Sequence, residues 1–182
     1  DPQGVVTAQR LMCDVCERDF AAAERDLAAC KSEEIYGVPR SFFQGCIARY
    51  RGDTSAATAA FTQARPKLEE DARTGPEPGR SLLYLATIDA ALGRKEDALH
   101  ERRTGLDKKL PEHNTEGPRM ALLGARVLAW AGERDEAIHA LHGIANTPAS
   151  PGHGLLRLDP AWDALHDDPR FVAMLAAPAS QP

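Results

Sequence analysis

Apolar and polar residues along this chain alternate in pairs of helical segments, and each pair is joined at a recurring short motif. The motifs are Arg18-Asp19-Phe20 leading to Ala23, Gly52-Asp53-Thr54 to Ala57, Gly93-Arg94-Lys95 to Ala98, and Gly132-Glu133-Arg134 to Ala137. Their starts are 34, 41 and 39 residues apart, a period that belongs to helical solenoids. Five, nine and twelve positions after each start a small or apolar residue recurs: Ala23, Leu27, Cys30; Ala57, Phe61, Ala64; Ala98, Arg102, Gly105; Ala137, Leu141, Ile144. Steps of four and three place each set on one helix face, and only the third set is degenerate.

The segment before each motif is also helical and apolar, as in Ser81 to Leu92 and Arg119 to Ala131. Each repeat therefore reads as helix A, a tight turn at the glycine, then helix B. Glycine suits that turn because the residue closing a helix often takes a positive φ. Helices are expected near 5–16, 20–31, 40–51, 54–71, 80–92, 95–108, 118–131 and 134–146. Two loops should interrupt them, Thr74 to Gly79 and Asn146 to Gly154, both rich in proline and glycine. Beyond the second, Asp159-Pro160 and Asp168-Pro169 each combine an N-cap residue with proline at the first helical position. Two short helices should start there, and Trp162, Leu165, Phe171, Met174 and Leu175 would cover the open end of the fourth repeat.

The motif set resembles the tetratricopeptide repeat (TPR) over about residues 5 to 147, with Gly45 at the repeat's small helix-A position. Pro111 and Pro148 loosely match the proline that ends helix B in that family. The ordered residues Leu158, Asp159, Pro160, Trp162, Asp163, Leu165, Asp168, Pro169, Arg170 and Phe171 resemble a further signature. It follows carboxy-terminal TPR arrays in bacterial serine/threonine protein kinases and in TolB-like or winged-helix signalling proteins. The resemblance implies an all-α, TPR-like superhelix of helix-turn-helix repeats with a carboxy-terminal helical cap. The array would span 1–154 with about four repeats, the cap 155–176, and a disordered tail 177–182. It also implies a protein- or peptide-binding, sensory or scaffold module of a larger bacterial signalling protein, with no catalytic residues.

In that family helix A lines the groove. The matching positions are Val5, Ala8, Met12 and Val15; Pro39, Phe42, Cys46 and Arg49; Arg80, Leu83, Thr87 and Ala90; Arg119, Leu122, Arg126 and Ala129. The resemblance thus puts Phe42, Leu83 and Leu122 in apolar contact with a guest, beside Thr87, and Arg49, Arg80, Arg119 and Arg126 as charges. Arginine forks suit carboxylates, so an acidic peptide or a chain-terminal carboxylate is the expected guest. The alternative is that these arginine stems only cover apolar surface. The wholly apolar first set fits either a homodimer contact or packing against upstream sequence.

Composition narrows the classes further. The 182 residues carry a formal charge of −5, which argues against nucleic acid or an anionic membrane as partner. No apolar run reaches the ~20 residues of a spanning helix, so direct membrane insertion is not expected. The chain opens on Asp1-Pro2 and is expected to be a piece of something longer. The compartment stays open: cytoplasmic, or periplasmic if a membrane segment lies upstream.

Candidate chemistry is sparse. All four cysteines, Cys13, Cys16, Cys30 and Cys46, fall in the first 46 residues. They fit small buried apolar residues, a structural metal site, or a Cys30–Cys46 disulfide; a metal- or redox-responsive domain is therefore the alternative function. His139 and His142 share a helix face, with His153 or His166 as possible companions, but no zincin spacing, nucleophile turn or phosphate loop accompanies them. No enzyme activity, cofactor or metal is expected.

Overall fold

A computed structural model describes residues 4–108, 117–145 and 152–176; Pro111, Pro148 and the tail 177–182 lie outside the described residues. The architecture is all-α and mostly helical. Four helical hairpins follow one another: α1 (Val5–Cys16) with α2 (Phe20–Ala29), α3 (Arg40–Tyr50) with α4 (Thr54–Thr74), α5 (Pro78–Ala91) with α6 (Lys95–Asp107), and α7 (Gly117–Trp130) with α8 (Arg134–Ala145). The carboxy-terminal segment adds α9 (His153–Leu158), a 3₁₀ helix (Pro160–Leu165) and α10 (Pro169–Ala176).

The four hairpin turns are the same structure. Arg18, Gly52, Gly93 and Gly132 have φ of 61°, 79°, 77° and 83°. In each turn that residue's N–H donates three residues back, and the next residue's N–H donates five back, as in Asp53 N to Ala48 O at 2.9 Å and Arg94 N to Asp89 O at 2.8 Å. This double bond satisfies the carbonyls left over at a helix end. The residue after the turn then starts helix B: the Asp19 and Asp53 carboxylates accept from Ala22 N and Ala56 N, both at 2.9 Å, as N-caps do. One short motif thus ends one helix and begins the next.

Helix B meets helix A through small residues. Ala23, Ala57, Ala98 and Ala137 are all buried. A Cβ built on Gly45 would stand 2.5 Å from the Phe61 ring, so only glycine lets α3 and α4 close at that point. The degenerate third repeat has its own close approach: a Cβ on Gly105 would stand 2.9 Å from the Gly79 carbonyl, and Arg102 Nε donates to Gly124 O at 2.8 Å.

Three features depart from the sequence expectation. Residues 34–39 form a small antiparallel hairpin, β1 (Glu34–Ile35) and β2 (Val38–Pro39). Its turn residues Tyr36 and Gly37 both have positive φ, the backbone of a tight type I′ turn. The loop expected over Thr74 to Gly79 contracts to 75–77, because α4 runs through Thr74 and Pro78 occupies the first turn of α5. Within the loop expected over Asn146 to Gly154, His153 and Gly154 already belong to α9; residues 146–151 lie outside the described ones.

The carboxy-terminal segment is core. Trp162, Leu165, Phe171 and Leu156 are fully buried against Ala137, Leu141 and Ile144 of α8. Asp159 caps the 3₁₀ helix, accepting from Ala161 N at 2.9 Å.

Candidate functional site

The first helices of all four hairpins border one cleft of about 190 Å³. α1 contributes Ala8, Leu11, Met12 and Val15, α3 Phe42, Phe43, Cys46, Ile47 and Tyr50, α5 Tyr84, and α7 Arg119, Leu122, Leu123 and Arg126; Tyr36 of the β-turn and Asp159 of the cap complete the wall. The lining is apolar and aromatic. Phe42 stands edge-on to Tyr84, with ring centroids 5.0 Å apart.

Charge enters from α7 and from Asp159 of the cap. Arg126 lies at the wall, its Nη2 3.2 Å from Asp159 Oδ2 in a buried ion pair, while its Nε is buried and makes no hydrogen bond. Burial works against this charge, but the neighbouring Asp159 carboxylate opposes that and helps hold the guanidinium protonated. One turn pair away, Arg119 lies over the Tyr36 ring at 5.2 Å and donates toward Tyr84 Oη at 3.4 Å. Burial pushes the Cys46 thiol up to about 12, so it lines the cleft as a neutral, weakly polar group.

Of the residues expected in a groove, Phe42, Arg119, Leu122 and Arg126 meet here, together with Ala8, Met12, Val15 and Cys46. Val5, Pro39, Ala90 and Ala129 do not, and neither do Arg49, Arg80, Leu83 and Thr87. Leu83 and Thr87 are fully buried in the core, the Thr87 hydroxyl donating to Leu83 O at 2.8 Å. Arg80 pairs with Glu77 at 2.7 Å, beneath Gly37 of the β-turn. Arg49 lies in a separate hollow that also includes Ala129, its guanidinium 4.5 Å above the Trp130 ring. The four arginines therefore do not share one surface.

The physical reason lies in α5. Its residues 83 to 90 are buried all round, so it is the central helix of the array and has little face left for a groove. Tyr84, one position beyond Leu83, is the part of it that reaches the cleft. Tyr36, Tyr84 and Asp159, together with Leu11, Phe43, Ile47, Tyr50 and Leu123, were not marked by the repeat frame. The all-round apolar run from Ser81 to Leu92 was the available signal that this helix is enclosed.

The four thiols do not converge. Cys13 is exposed, Cys16 and Cys30 are half-buried, Cys46 is buried, and all four are free. Among the described residues no three His, Cys, Asp or Glu side chains gather as metal ligands. His139 and His142 border a shallow hollow between α8 and α10 beside Asp135 and Arg170, while His166 lies against Phe171. The side chain of His153 lies outside the described ones. Among the described residues no helix is long and apolar enough to cross a membrane.

No family model matches the chain, and no curated protein or solved structure matches it.

Proposed function

We propose that this chain is a TPR-like helical-repeat module that binds a protein or peptide partner in the cleft between α1, α3, α5 and α7. In this reading it serves as the carboxy-terminal sensory or scaffold part of a larger bacterial signalling protein. The observation that carries the proposal is the convergence of apolar residues from all four first helices on one cleft. A closed domain with no guest has no need to leave such a face open.

Size and charge define the guest. A dry cavity of about 150 Å³ is enough to take up benzene, so a cleft of about 190 Å³ suits one aromatic or branched side chain. Arg119 and Arg126 at its wall favour a carboxylate beside that side chain. Asp159 already neutralises much of Arg126, so apolar insertion supplies most of the affinity and charge a smaller part. A metal- or redox-responsive role has no comparable gathering of side chains behind it. Dimerisation through α1 rests only on the exposed Val6 and Met12.

The test is a fluorescence-anisotropy titration of peptides that each carry one Phe or Leu next to acidic residues. Leu122→Glu places a charge in the cleft wall from a half-buried position and should raise Kd at least tenfold while the circular dichroism spectrum is unchanged. Raising salt from 50 to 300 mM should weaken wild-type binding only a few-fold, since apolar insertion supplies most of the affinity. Equal affinity of wild type and Leu122→Glu for every peptide would remove the cleft from the binding reading.

A further inference from the structure

Arg18 stands where the other three hairpin turns have glycine, and it adopts the same left-handed backbone, φ 61° against 79°, 77° and 83°. For an arginine that conformation is strained. Its side chain has a distant partner. Arg18 Nη1 and Nη2 lie 2.7 and 2.6 Å from the two carboxylate oxygens of Asp163, 145 positions further along the chain in the 3₁₀ helix of the cap. The two-pronged bond joins the first turn of the array to its last segment. Nearby, Tyr50 stacks on Phe20 at 6.5 Å and meets Trp130 edge-on at 6.0 Å, and Trp130 Nε1 donates to Ala161 O at 3.3 Å.

We propose that Arg18 and Asp163 form a latch that holds the first hairpin against the cap and thereby controls access to the cleft. The two ends it joins are both cleft walls: Ala8, Met12 and Val15 on α1, Asp159 just before the 3₁₀ helix. Separating them widens the cleft without breaking any hairpin, because each hairpin turn is closed by its own backbone bonds. Both partners are close to half exposed, at 44% and 47%. The pair is therefore weak enough to open by thermal motion and to respond to salt. The purpose of the latch rests on the cleft being a binding site; its operation does not.

Cys46 is the reporter, since it lines the cleft and is buried. The background variant carries Cys13→Ser, Cys16→Ser and Cys30→Ser, and the rate of Cys46 labelling by 5,5′-dithiobis(2-nitrobenzoate) is followed with no ligand present. Arg18→Gly and Asp163→Asn should each raise that rate about two- to fivefold, the population shift an exposed bidentate pair can carry. High salt should accelerate the background protein and leave Arg18→Gly unchanged. Arg18→Gly also relieves the backbone strain, so its melting temperature should hold or rise while labelling accelerates. That combination marks local opening, because global unfolding would move both in the same sense. Unchanged labelling in both variants, or acceleration matched by a fall in melting temperature, overturns the latch. Faster labelling of both variants, with no peptide binding in the anisotropy titration, would retain the latch and remove the binding reading; peptide binding with unchanged labelling would do the opposite.

Discussion

Glu101 on α6 holds a carboxyl group whose Oε2 is buried and without a hydrogen-bond partner. Burial first, and then the Asp89 carboxylate, push its pKa up to about 8 from the usual 4.5, with Asp97 and Glu69 adding to the rise and Arg65 opposing it. Arg65 is already committed, gripping the fully buried Asp89 through Nε and Nη2 at 2.9 and 3.0 Å and also pairing with Glu69. Between about pH 5 and 8 the folded state keeps a proton that the unfolded chain has released, so Glu101 makes stability fall as pH rises through that window. Glu101→Gln should flatten that dependence. It should match wild type near pH 5 and be more stable at pH 8 by on the order of 1 kcal/mol, discounted for the part of the side chain that solvent reaches. Urea titrations at the two pH values measure this; a variant with the wild-type slope would show that Glu101 is not the titrating group. Arg126 carries a similar lesson at the same scale. The repeat frame makes it a groove charge, but its ion pair with Asp159 is buried. Removing one partner of such a pair costs about 3 kcal/mol or more.

At the scale of elements, the hairpin turns follow from the sequence and the β-turn does not. Every A-to-B turn needs one left-handed residue, and glycine announces it in three of the four, Gly52, Gly93 and Gly132. A Cβ on Gly93 would meet nothing within 4 Å, so Gly93→Ala tests the backbone alone. The variant should lose about 1 kcal/mol through strain at positive φ, read as a shift of the urea midpoint with unchanged slope. No loss would mean that the turn relaxes to another conformation. The strands 34–35 and 38–39 are two residues each, too short for any alternation to register. They form because Ile35 and Val38 are buried, a tertiary reason. Helix α5 shows the same limit differently. Its apolar residues identify a helix plainly, but which side faces the cleft depends on the helices that surround it.

For the whole molecule, the cap decides whether the array ends in water or in core. Leu141 and Ile144 of α8 lie beneath Trp162, Leu165 and Phe171. Deleting 155–182 would expose that face and also strip Arg126 of Asp159 and Arg18 of Asp163. The truncated chain should melt well below the full chain and aggregate, as seen by light scattering; a soluble truncation of equal stability would contradict the packing. The cap does more here than cover an end, because its Asp159 is also part of the cleft wall.

Local chemistry was sufficient for the eight hairpin helices, the four turns, the small residues between paired helices and the aspartate-proline starts of the cap, but not for α9. Each depends on neighbours within a few residues, so the sequence by itself determined them. The composition of the cleft depended on tertiary structure. Phe42, Arg119, Leu122 and Arg126 followed from the repeat frame, whereas Tyr36, Tyr84 and Asp159 joined them, and Arg49, Arg80, Leu83 and Thr87 left. Rotation of a helix about its axis and the meeting of residues 18 and 163 are set by the summed packing of every neighbour. A periodic pattern specifies which residues share a face; only the assembled neighbours decide what that face meets.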